Sequence, residues 1–249
     1  MNISAVVLTK NNENTIKKTL ESLKFFDDVV VYDNGSSDKT ISIAKSFNNV
    51  TLIEGTFNGF GPTRNQAIAY SSNNWILSLD ADEVLSTELI ESLKSVELND
   101  GFIYKILRTN YYKQTKIKHC WGDDIIVRLF NKEKTSFCDN YVHEFVKNDG
   151  FEEIILNGPV EHYPYFNMTD FIIKLDRYST LFAEENVGKK SSSPLKAILN
   201  AKFSFFKTYF LKRGFLDGYA GLVISFSHMA TNFYKYMKLY ELNKELKAK

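Results

Sequence analysis

The sequence predicts an α/β fold in which a mostly parallel sheet is followed by an amphipathic helical extension. Two observations predict this class. Apolar runs alternate with helix-like segments over the first 80 residues, and the chain becomes basic and aromatic after residue 190. Strands that alternate with helices of about ten residues are typical of βαβ units with right-handed crossovers.

Four short apolar runs with β-favouring residues predict strands at residues 3–8, 28–32, 50–53 and 75–79. The segments between them carry apolar residues at helical spacing, as at Ile16, Leu20 and Leu23. We therefore expect helices at residues 14–23, 38–47 and 62–70, and a further helix at residues 84–96.

Polar clusters follow the first, second and fourth of these strands, at residues 9–12, 33–38 and 80–82. In parallel sheets, ligands bind outside the carboxyl ends of the strands. A carboxylate at Asp33 can accept hydrogen bonds from a ribose or a base, Gly35 allows a tight turn, and Asp38 is placed to cap the second helix. The three clusters together predict a nucleotide site at this edge.

Asp80 and Asp82 lie one residue apart at the end of the fourth strand. Two carboxylates this close repel each other unless a positive group lies between them, and a divalent cation bound through oxygen provides one. The alternative is that these acids, with Glu83, cap the helix at residues 84–96.

Arg64 follows a glycine-containing turn, so its guanidinium is a candidate for a diphosphate, or else a solvated surface cation. His143 lies in a strand-like run, where it is either a third metal or diphosphate contact or a packed strand histidine. His162 is a second candidate for the same role. Arg64, His143 and His162 are therefore candidates to contact a diphosphate and its metal ion.

The two cysteines, Cys120 and Cys138, do not form a zinc pattern with His119. We expect two reduced thiols in a cytosolic protein.

The segments AVVLTKNNE (5–13), VVYDNGSSD (30–38) and LDADE (79–83), in this order and spacing, resemble family 2 glycosyltransferases of the GT-A fold, which has a Rossmann-like nucleotide-binding sheet. The segments WGDDIIVRLF (121–130), VHE (142–144) and RGFLDG (213–218) are similar to those of bacterial enzymes that add a sugar to lipopolysaccharide core, often described as β-glucosyltransferases.

The resemblance implies a role for several positions. Thr9, Glu13 and Asp33 would line the nucleotide pocket with Arg64 nearby, and the Asp80–Asp82 pair would hold Mg²⁺ or Mn²⁺ against the donor diphosphate. The general base would be Asp124, with Asp123 as the alternative. This Asp-Asp pair stands where the family more often has Glu-Asp.

The resemblance also implies the partners and the reaction. The donor would be a UDP-sugar, with UDP-glucose favoured, and the acceptor a lipid-linked saccharide such as lipopolysaccharide core. A direct displacement would invert the anomeric configuration. The enzyme would act in the cytoplasm, at the inner face of the cytoplasmic membrane.

The C-terminal segment predicts how such an enzyme would reach its acceptor. Residues 195–240 contain seven Lys or Arg residues against one acid, Asp217, and Leu199, Phe203, Phe206 and Phe210 share one helical face. Basic aromatic amphipathic helices suit a membrane surface with anionic lipid, although these aromatics could instead pack on the catalytic domain. The run at residues 218–234 is too short and polar to be expected to span a membrane.

We expect a catalytic domain at residues 1–190, with a nucleotide-sugar half at 1–100 and an acceptor half at 101–190, followed by the helical extension at 195–249. The first strand begins within three residues of the start, so no signal peptide is expected.

The composition and the motifs leave few other function classes. Hydrophobic content of 44% and a net charge of +1 disfavour a disordered chain and nucleic-acid binding. A nucleotidyltransferase would need a glycine-rich loop that residues 9–13 lack. The remaining alternatives are an inactive nucleotide- or lipid-binding scaffold of the same fold and a glycosyltransferase for another envelope or capsule acceptor.

Overall fold

The computed structural model describes residues 2–140 and 144–248, which divide into two compact units. The first comprises the described residues of Met1–Thr109 and Asp123–Tyr163. The second comprises Asn110–Gly122 and the described part of Pro164–Lys249. The boundary expected at residues 190–195 falls within the second unit, between two of its helices.

The described residues form nine strands: β1 (Ile3–Thr9), β2 (Val29–Asp33), β3 (Val50–Glu54), β4 (Trp75–Asp80), β5 (Glu83–Leu85), β6 (Phe102–Tyr112), β7 (Thr115–Lys116), β8 (Asp124–Asn131) and β9 (Glu152–Tyr165). Their order is β3-β2-β1-β4-β8-β6-β9-β5, and β7 pairs with the end of β6. The pairs among β1 to β4 are parallel, whereas β8 pairs antiparallel with β4 and β6. The predicted α/β class is confirmed, in a mixed sheet whose parallel part is the N-terminal half.

The helices of the first unit are α1 (Ile16–Ser22), α2 (Thr40–Ala44), α3 (Phe60–Ile68) and α4 (Thr87–Ser95). Successive side chains of a strand point to opposite faces, so Ile3, Ala5 and Val7 join the core that contains α1 and α4. Val6 and Leu8 join a second core that contains α3. All seven residues of β1 are buried, as expected for a strand covered on both faces.

The prediction of a helix from residue 84 was wrong at its start. Glu83–Leu85 form β5, which pairs antiparallel with β9, and α4 begins at Thr87. Ser86 caps this helix, since its hydroxyl accepts a hydrogen bond from the Leu89 amide at 3.1 Å. The capping role considered for Asp82 and Glu83 therefore belongs to Ser86.

The second unit is helical, with α5 (Met168–Asn186), α6 (Pro194–Phe206), a π-helical turn (Lys207–Leu211), a 3₁₀ turn (Gly214–Asp217) and α7 (Gly218–Ala248). Both α5 and α6 pack on α7. Gly221 allows a close approach within this unit, because a Cβ atom there would lie 1.8 Å from the Gly214 carbonyl oxygen. The predicted helical C-terminal region is confirmed.

None of the helices within residues 2–140 and 144–248 is both long and apolar enough to cross a membrane.

Asp217 fixes a loop of the second unit. Its carboxylate accepts hydrogen bonds from the amides of Lys118, His119 and Cys120 at 2.8–3.1 Å, and lies 2.9 Å from His119 Nδ1. Burial would raise the pKa of Asp217, but these donors outweigh burial and lower it. Cys120 and Cys138 are free and buried, each in a different unit.

Candidate functional site

The carboxyl ends of β1, β2 and β4 meet at one edge of the sheet. Thr9 is the register partner of Asp33, and Leu8 is the register partner of Asp80. The structure therefore brings together the polar clusters that follow these strands. Thr9 and Asp33 are 2% and 1% exposed, although polar residues of this kind are usually exposed.

Asp33 shapes the loop after β2. Its Oδ2 accepts hydrogen bonds from the amides of Gly35 and Ser36 at 2.9 and 2.8 Å, and its Oδ1 accepts one from the Ser36 hydroxyl. Gly35 has a φ of 84°, a conformation that favours glycine. The predicted tight turn is present, and Asp33 fixes its backbone.

Glu13 and Asp38 connect the loops after β1 and β2. The Glu13 amide donates to Asp38 at 3.1 Å, and the Lys39 amide donates to Glu13 at 3.0 Å. Asp38 also accepts from the Thr40 amide at 3.0 Å, at the start of α2. Burial would raise the pKa of Asp38, but the hydrogen bonds from Thr40 and Glu13 lower it. Both carboxylates therefore hold the shape of this edge.

Asn11 forms a second connection that the sequence analysis did not identify. Its amide donates to the Ser36 hydroxyl and its Oδ1 accepts from the Ser37 amide, both at 2.8 Å. Asn11 has a φ of 54°, and asparagine is one of the few residues that tolerate this region.

Arg64 is buried beneath the edge, with 3% of its side chain exposed. It donates from Nη2 to Asp80 Oδ1, from Nη1 to Ser78 Oγ at 3.2 Å and from Nε to Glu144 Oε1 at 3.1 Å. The solvated surface cation considered from the sequence is therefore excluded. Arg64 is a buried cation that fixes Asp80.

Arg128 holds Asp80 from a second direction. Its Nη2 lies 3.0 Å from Asp80 Oδ2 and 2.5 Å from Glu83 Oε1. Glu83 is fully buried, and its Oε2 accepts a hydrogen bond from the Asp80 amide at 3.0 Å. Arg108 Nη1 lies 3.7 Å from Glu83 Oε1, so the network extends to the next strand.

The two arginines keep Asp80 ionised. Burial alone would raise the pKa of Asp80, but Arg64, Arg128 and His162 hold it well below its ordinary value. Burial would likewise lower the pKa of Arg128, but Glu83 and Asp80 raise it above its ordinary value. Buried charges of this kind persist only as hydrogen-bonded pairs.

Asp82 and His162 form a separate pair beside this network. Asp82 Oδ1 lies 3.6 Å from His162 Nε2, and each side chain is 16% exposed. The β5–β9 pairing positions them, because His162 is the register partner of Glu83 and the Tyr163 amide donates to the Asp82 carbonyl oxygen at 2.9 Å.

Asp124 lies at the start of β8, opposite Arg108 of β6. Its Oδ2 accepts a hydrogen bond from Arg108 Nη2 at 2.9 Å, and its side chain is 48% exposed. Asp123 is also exposed. Arg108 thus connects Asp124 to Glu83, and through Arg128 to Asp80. His143 lies outside the described residues.

Among the described residues, the connected charges are three arginines and four carboxylates: Arg64, Arg108, Arg128, Asp80, Glu83, Asp124 and Glu144. Their formal sum is −1, and Asp82 adds a further negative charge. An edge with this excess of negative charge attracts a cation.

The donor set indicates where a metal ion would fit. Both oxygens of Asp80 accept hydrogen bonds from guanidinium groups, and Asp82 and His162 place a carboxylate oxygen and an imidazole nitrogen 3.6 Å apart. Mn²⁺ accepts both kinds of ligand, and Mg²⁺ prefers oxygen. Within the described part of the chain, no three His, Cys, Asp or Glu side chains form a metal-binding group. The pair fits a metal whose other ligands come from a substrate or water.

Glu83 and Arg128 were not identified as site residues from the sequence. The run Ile125-Ile126-Val127-Arg128-Leu129-Phe130 did contain a sign, since an arginine in an apolar strand requires a buried partner. Its partners lie 45 and 48 residues away along the chain, so only the sheet register identifies them.

The sequence profile described as "Glycosyl transferase family 2" matches residues 4–143. A protein of Rickettsia bellii, described as an uncharacterized glycosyltransferase, is 31% identical over 97% of this chain and 87% of its own length. A lipopolysaccharide core biosynthesis glycosyltransferase of Rhizobium meliloti, LpsC, is 25% identical over 90% of this chain and 89% of its own length.

Among solved structures, residues 1–349 of TarS from S. aureus, in complex with UDP-GlcNAc, are similar with a TM-score of 0.47 and 15% identity. The alignment covers 100% of this chain and 92% of the TarS chain.

Proposed function

Because this chain belongs to the family 2 glycosyltransferases, we propose that it transfers a sugar from a UDP-sugar to a hydroxyl group of a lipid-linked saccharide. The proposed donor is UDP-glucose, and the proposed acceptor is lipopolysaccharide core. The LpsC relative, whose description names lipopolysaccharide core biosynthesis, supports this acceptor, since the similarity extends over 90% of the chain.

One observation carries the proposal. A partly exposed carboxylate paired with two arginines, Asp80, lies at the end of a parallel strand next to the pair Asp82 and His162. Ligands of parallel sheets bind at this end of the strands. The arrangement places fixed anions, which attract a cation, at the edge where ligands of parallel sheets bind.

Asp82 and His162 are proposed to hold Mg²⁺ or Mn²⁺. The ion would supply neutralisation of the charge that develops on the leaving diphosphate. Asp80 is proposed to contribute through its negative charge and by contact with the nucleotide sugar. The two arginines fix its carboxylate, so it need not reorganise as the reaction proceeds.

Thr9, Glu13 and Asp33 are proposed to form the nucleoside side of the site. Asp33 and Glu13 act by holding the loops after β1 and β2, since their carboxylates accept backbone amides in the structure. A loop fixed in this way presents the same groups to each donor molecule, which lowers the entropic cost of binding.

Asp124 is proposed as the general base. Its carboxylate would take the proton of the acceptor hydroxyl as the oxygen attacks the anomeric carbon and the bond to the diphosphate breaks. Arg108 holds Asp124 in one orientation at 2.9 Å. A single displacement on an α-linked donor gives a β-linked product. The enzyme is proposed to work at the inner face of the cytoplasmic membrane, where a lipid-linked acceptor is presented.

A thermal-shift panel of UDP-sugars, each with and without Mn²⁺, tests the donor site. A ligand that binds the native state raises the unfolding temperature by mass action. We expect UDP-glucose with Mn²⁺ to give the largest shift, and His162→Ala to abolish the metal-dependent part. A shift from UDP-glucose that is the same without metal would contradict the metal assignment, and no shift from any UDP-sugar would contradict the proposed donor.

A further inference from the structure

The second unit exposes an unusual number of large apolar side chains along one surface. Six of them, all between 47% and 67% exposed, define what we name the apolar ridge: Leu195, Leu199, Phe203, Phe206, Phe210 and Phe215. They lie on α6, the π-helical turn and the 3₁₀ turn. Monomeric proteins rarely leave contiguous apolar patches of this kind without a partner.

Ring contacts show that the ridge is continuous. Phe206 and Phe210 have ring centroids 5.4 Å apart, Phe210 and Tyr209 are 5.2 Å apart, and Tyr209 and Phe215 are 6.3 Å apart. Phe206 and Phe210 are four residues apart, so they share one face where α6 passes into the π-helical turn. The aromatic side chains form one surface across three elements.

On α6, the ridge residues and the buried residues lie on different faces of the helix. The opposite face of α6 supplies the buried residues Ala197 and Ala201. That face meets α7 through a contact of Phe205 with Phe226, at 4.9 Å between ring centroids, and a hydrogen bond from Asn232 to Ser204. The ridge residues of α6 therefore lie away from this contact, whereas the ring of Phe210 also lies 6.4 Å from that of Phe205.

Four exposed cations accompany the ridge: Lys202, Lys207, Lys212 and Arg213. Residues 195–240 contain a single acid, Asp217, and its side chain is 2% exposed and accepts the loop amides of residues 118–120. The surface around the ridge is therefore positive, with no carboxylate of this segment available to balance it.

We infer that the apolar ridge inserts into the surface of a bilayer that contains anionic lipid, with the four cations at the headgroups. Apolar side chains surrounded by Lys and Arg match the acyl boundary and the headgroup layer of such a surface. A second copy of this chain matches less well, because a two-fold interface would bring the same cations of both copies together. The inference deepens the proposed function, on which it rests for its biological purpose, by naming the residues that meet the membrane.

Vesicle flotation of the full chain tests the inference. The vesicles are phosphatidylcholine alone, or phosphatidylcholine with phosphatidylglycerol. We expect tighter binding to the anionic vesicles, and about a tenfold or greater loss for the double variant Phe206→Gln, Phe210→Gln. Replacing Lys202, Lys207 and Lys212 by Gln should weaken binding to the anionic vesicles about 100-fold, at roughly 1 kcal/mol for each cation.

Ile155→Gln is the matched control, since Ile155 is 58% exposed in the first unit and lies outside the ridge. It should leave vesicle binding unchanged. Circular dichroism and the unfolding temperature show that each variant is folded. Equal binding of the phenylalanine variant and the wild type, or no binding of the wild type to anionic vesicles, would overturn the inference.

Sedimentation of the protein without lipid tests whether a second copy of this chain covers the ridge instead of a bilayer. A dimer that Phe206→Gln, Phe210→Gln converts to a monomer would also overturn the inference, in favour of a second copy. Donor binding in the thermal-shift panel separates this result from the proposed function. Vesicle binding without any UDP-sugar binding would contradict the proposed function alone, and donor binding without vesicle binding would contradict the inference alone.

Discussion

The two units depart from the usual distribution of residues in opposite ways. The first unit buries charge: Arg64, Arg128 and Glu83 are between 0% and 7% exposed at their side chains. The second unit exposes apolar groups, with Phe203 and Phe210 at 60% and 50%. Buried charges and exposed aromatics both cost stability unless they have partners. In the first unit the described residues supply these partners, whereas in the second unit half or more of Phe203 and Phe210 stays exposed despite ring contacts such as that of Phe210 with Phe206.

This difference matches the two roles that we propose for these surfaces. A network of paired charges holds its shape before a ligand arrives, which suits a site that must stabilise developing charge. Exposed aromatics on a helical surface gain most of their contact energy only when another phase or molecule covers them. The chemistry of the first unit should therefore depend on single atoms, and the function of the second on summed area and charge.

The most severe test of this comparison is Asp82→Asn. We expect sugar transfer to fall at least about 1000-fold, because the amide is a poor ligand for a divalent ion and the leaving diphosphate loses its neutralisation. The measurement is UDP release in the presence of acceptor and Mn²⁺. Asp149→Asn, at an exposed turn, is the control and should retain full activity. Vesicle binding should be unchanged in both. An active, metal-dependent Asp82→Asn would remove Asp82 from the metal site.

Asp124→Asn should lower kcat about 100- to 1000-fold with little effect on donor KM, because general-base catalysis contributes on this order. Steady-state kinetics of Asp124→Asn and Asp123→Asn in parallel distinguishes the two acids. Among the ion pairs of residues 2–140 and 144–248, the contact with Arg108 is made by Asp124 and not by its neighbour Asp123. If Asp123→Asn has the larger effect on kcat, then the base is Asp123 and the contact with Arg108 is structural.

Arg128→Leu should destabilise the protein by about 3 kcal/mol, since it leaves the fully buried Glu83 and the partly exposed Asp80 with one partner fewer. We expect a loss at the lower end of the range for broken buried ion pairs, because Arg64 still holds Asp80 and Arg108 still approaches Glu83. Chemical denaturation measures it. Arg128→Lys keeps the charge and should lose less. Phe210→Gln should change stability little, because its ring is already half-exposed. Equal losses for Arg128→Leu and Phe210→Gln would break the comparison between the units.

The sequence predicted what depends on local pattern. The alternation of apolar runs located β1 to β4, and their ends located Asp33 and Asp80 at one edge, because parallel strands have their carboxyl ends on the same side. Leu199, Phe203, Phe206 and Phe210 were predicted to share a face from spacing alone, and all four are exposed.

Contacts between distant parts of the chain were not predictable in this way. His162 meets Asp82 only because the three-residue strand β5 pairs with β9, and so short a strand has no periodicity to detect. Asp217 holds residues 118–120 across about 98 positions of sequence. The expected boundary at 190–195 likewise followed composition, whereas the compact units follow contacts such as these.

The smallest expected effect is the pH dependence of stability that His228 causes in the second unit. Its Nε2 accepts a hydrogen bond from Trp121 Nε1 at 3.1 Å, so the ring proton is on Nδ1, 3.1 Å from the Thr208 hydroxyl. Burial, with Lys212 and Lys235 nearby, lowers the pKa of His228 from 6.5 to about 4. The unfolded chain therefore binds a proton more readily than the folded protein does. The free energy of unfolding therefore has its full value above pH 6.5 and decreases by about 2 kcal/mol as the pH falls towards 4.

Chemical denaturation at pH 7 and pH 4.5, for the wild type and His228→Gln, isolates this contribution. Gln cannot take up the proton. The decrease in the free energy of unfolding between the two pH values should therefore be smaller in the variant, by most of the roughly 2 kcal/mol expected for the wild type. Asp80 and Asp217, whose pKa values are lowered, contribute losses mainly below their ordinary value of 3.8 and overlap little with this window. A pH dependence that is identical in both proteins would mean that His228 is protonated without cost. The helical unit would then be loosely packed around Trp121, and its exposed aromatics would reflect weak packing rather than a surface prepared for a membrane.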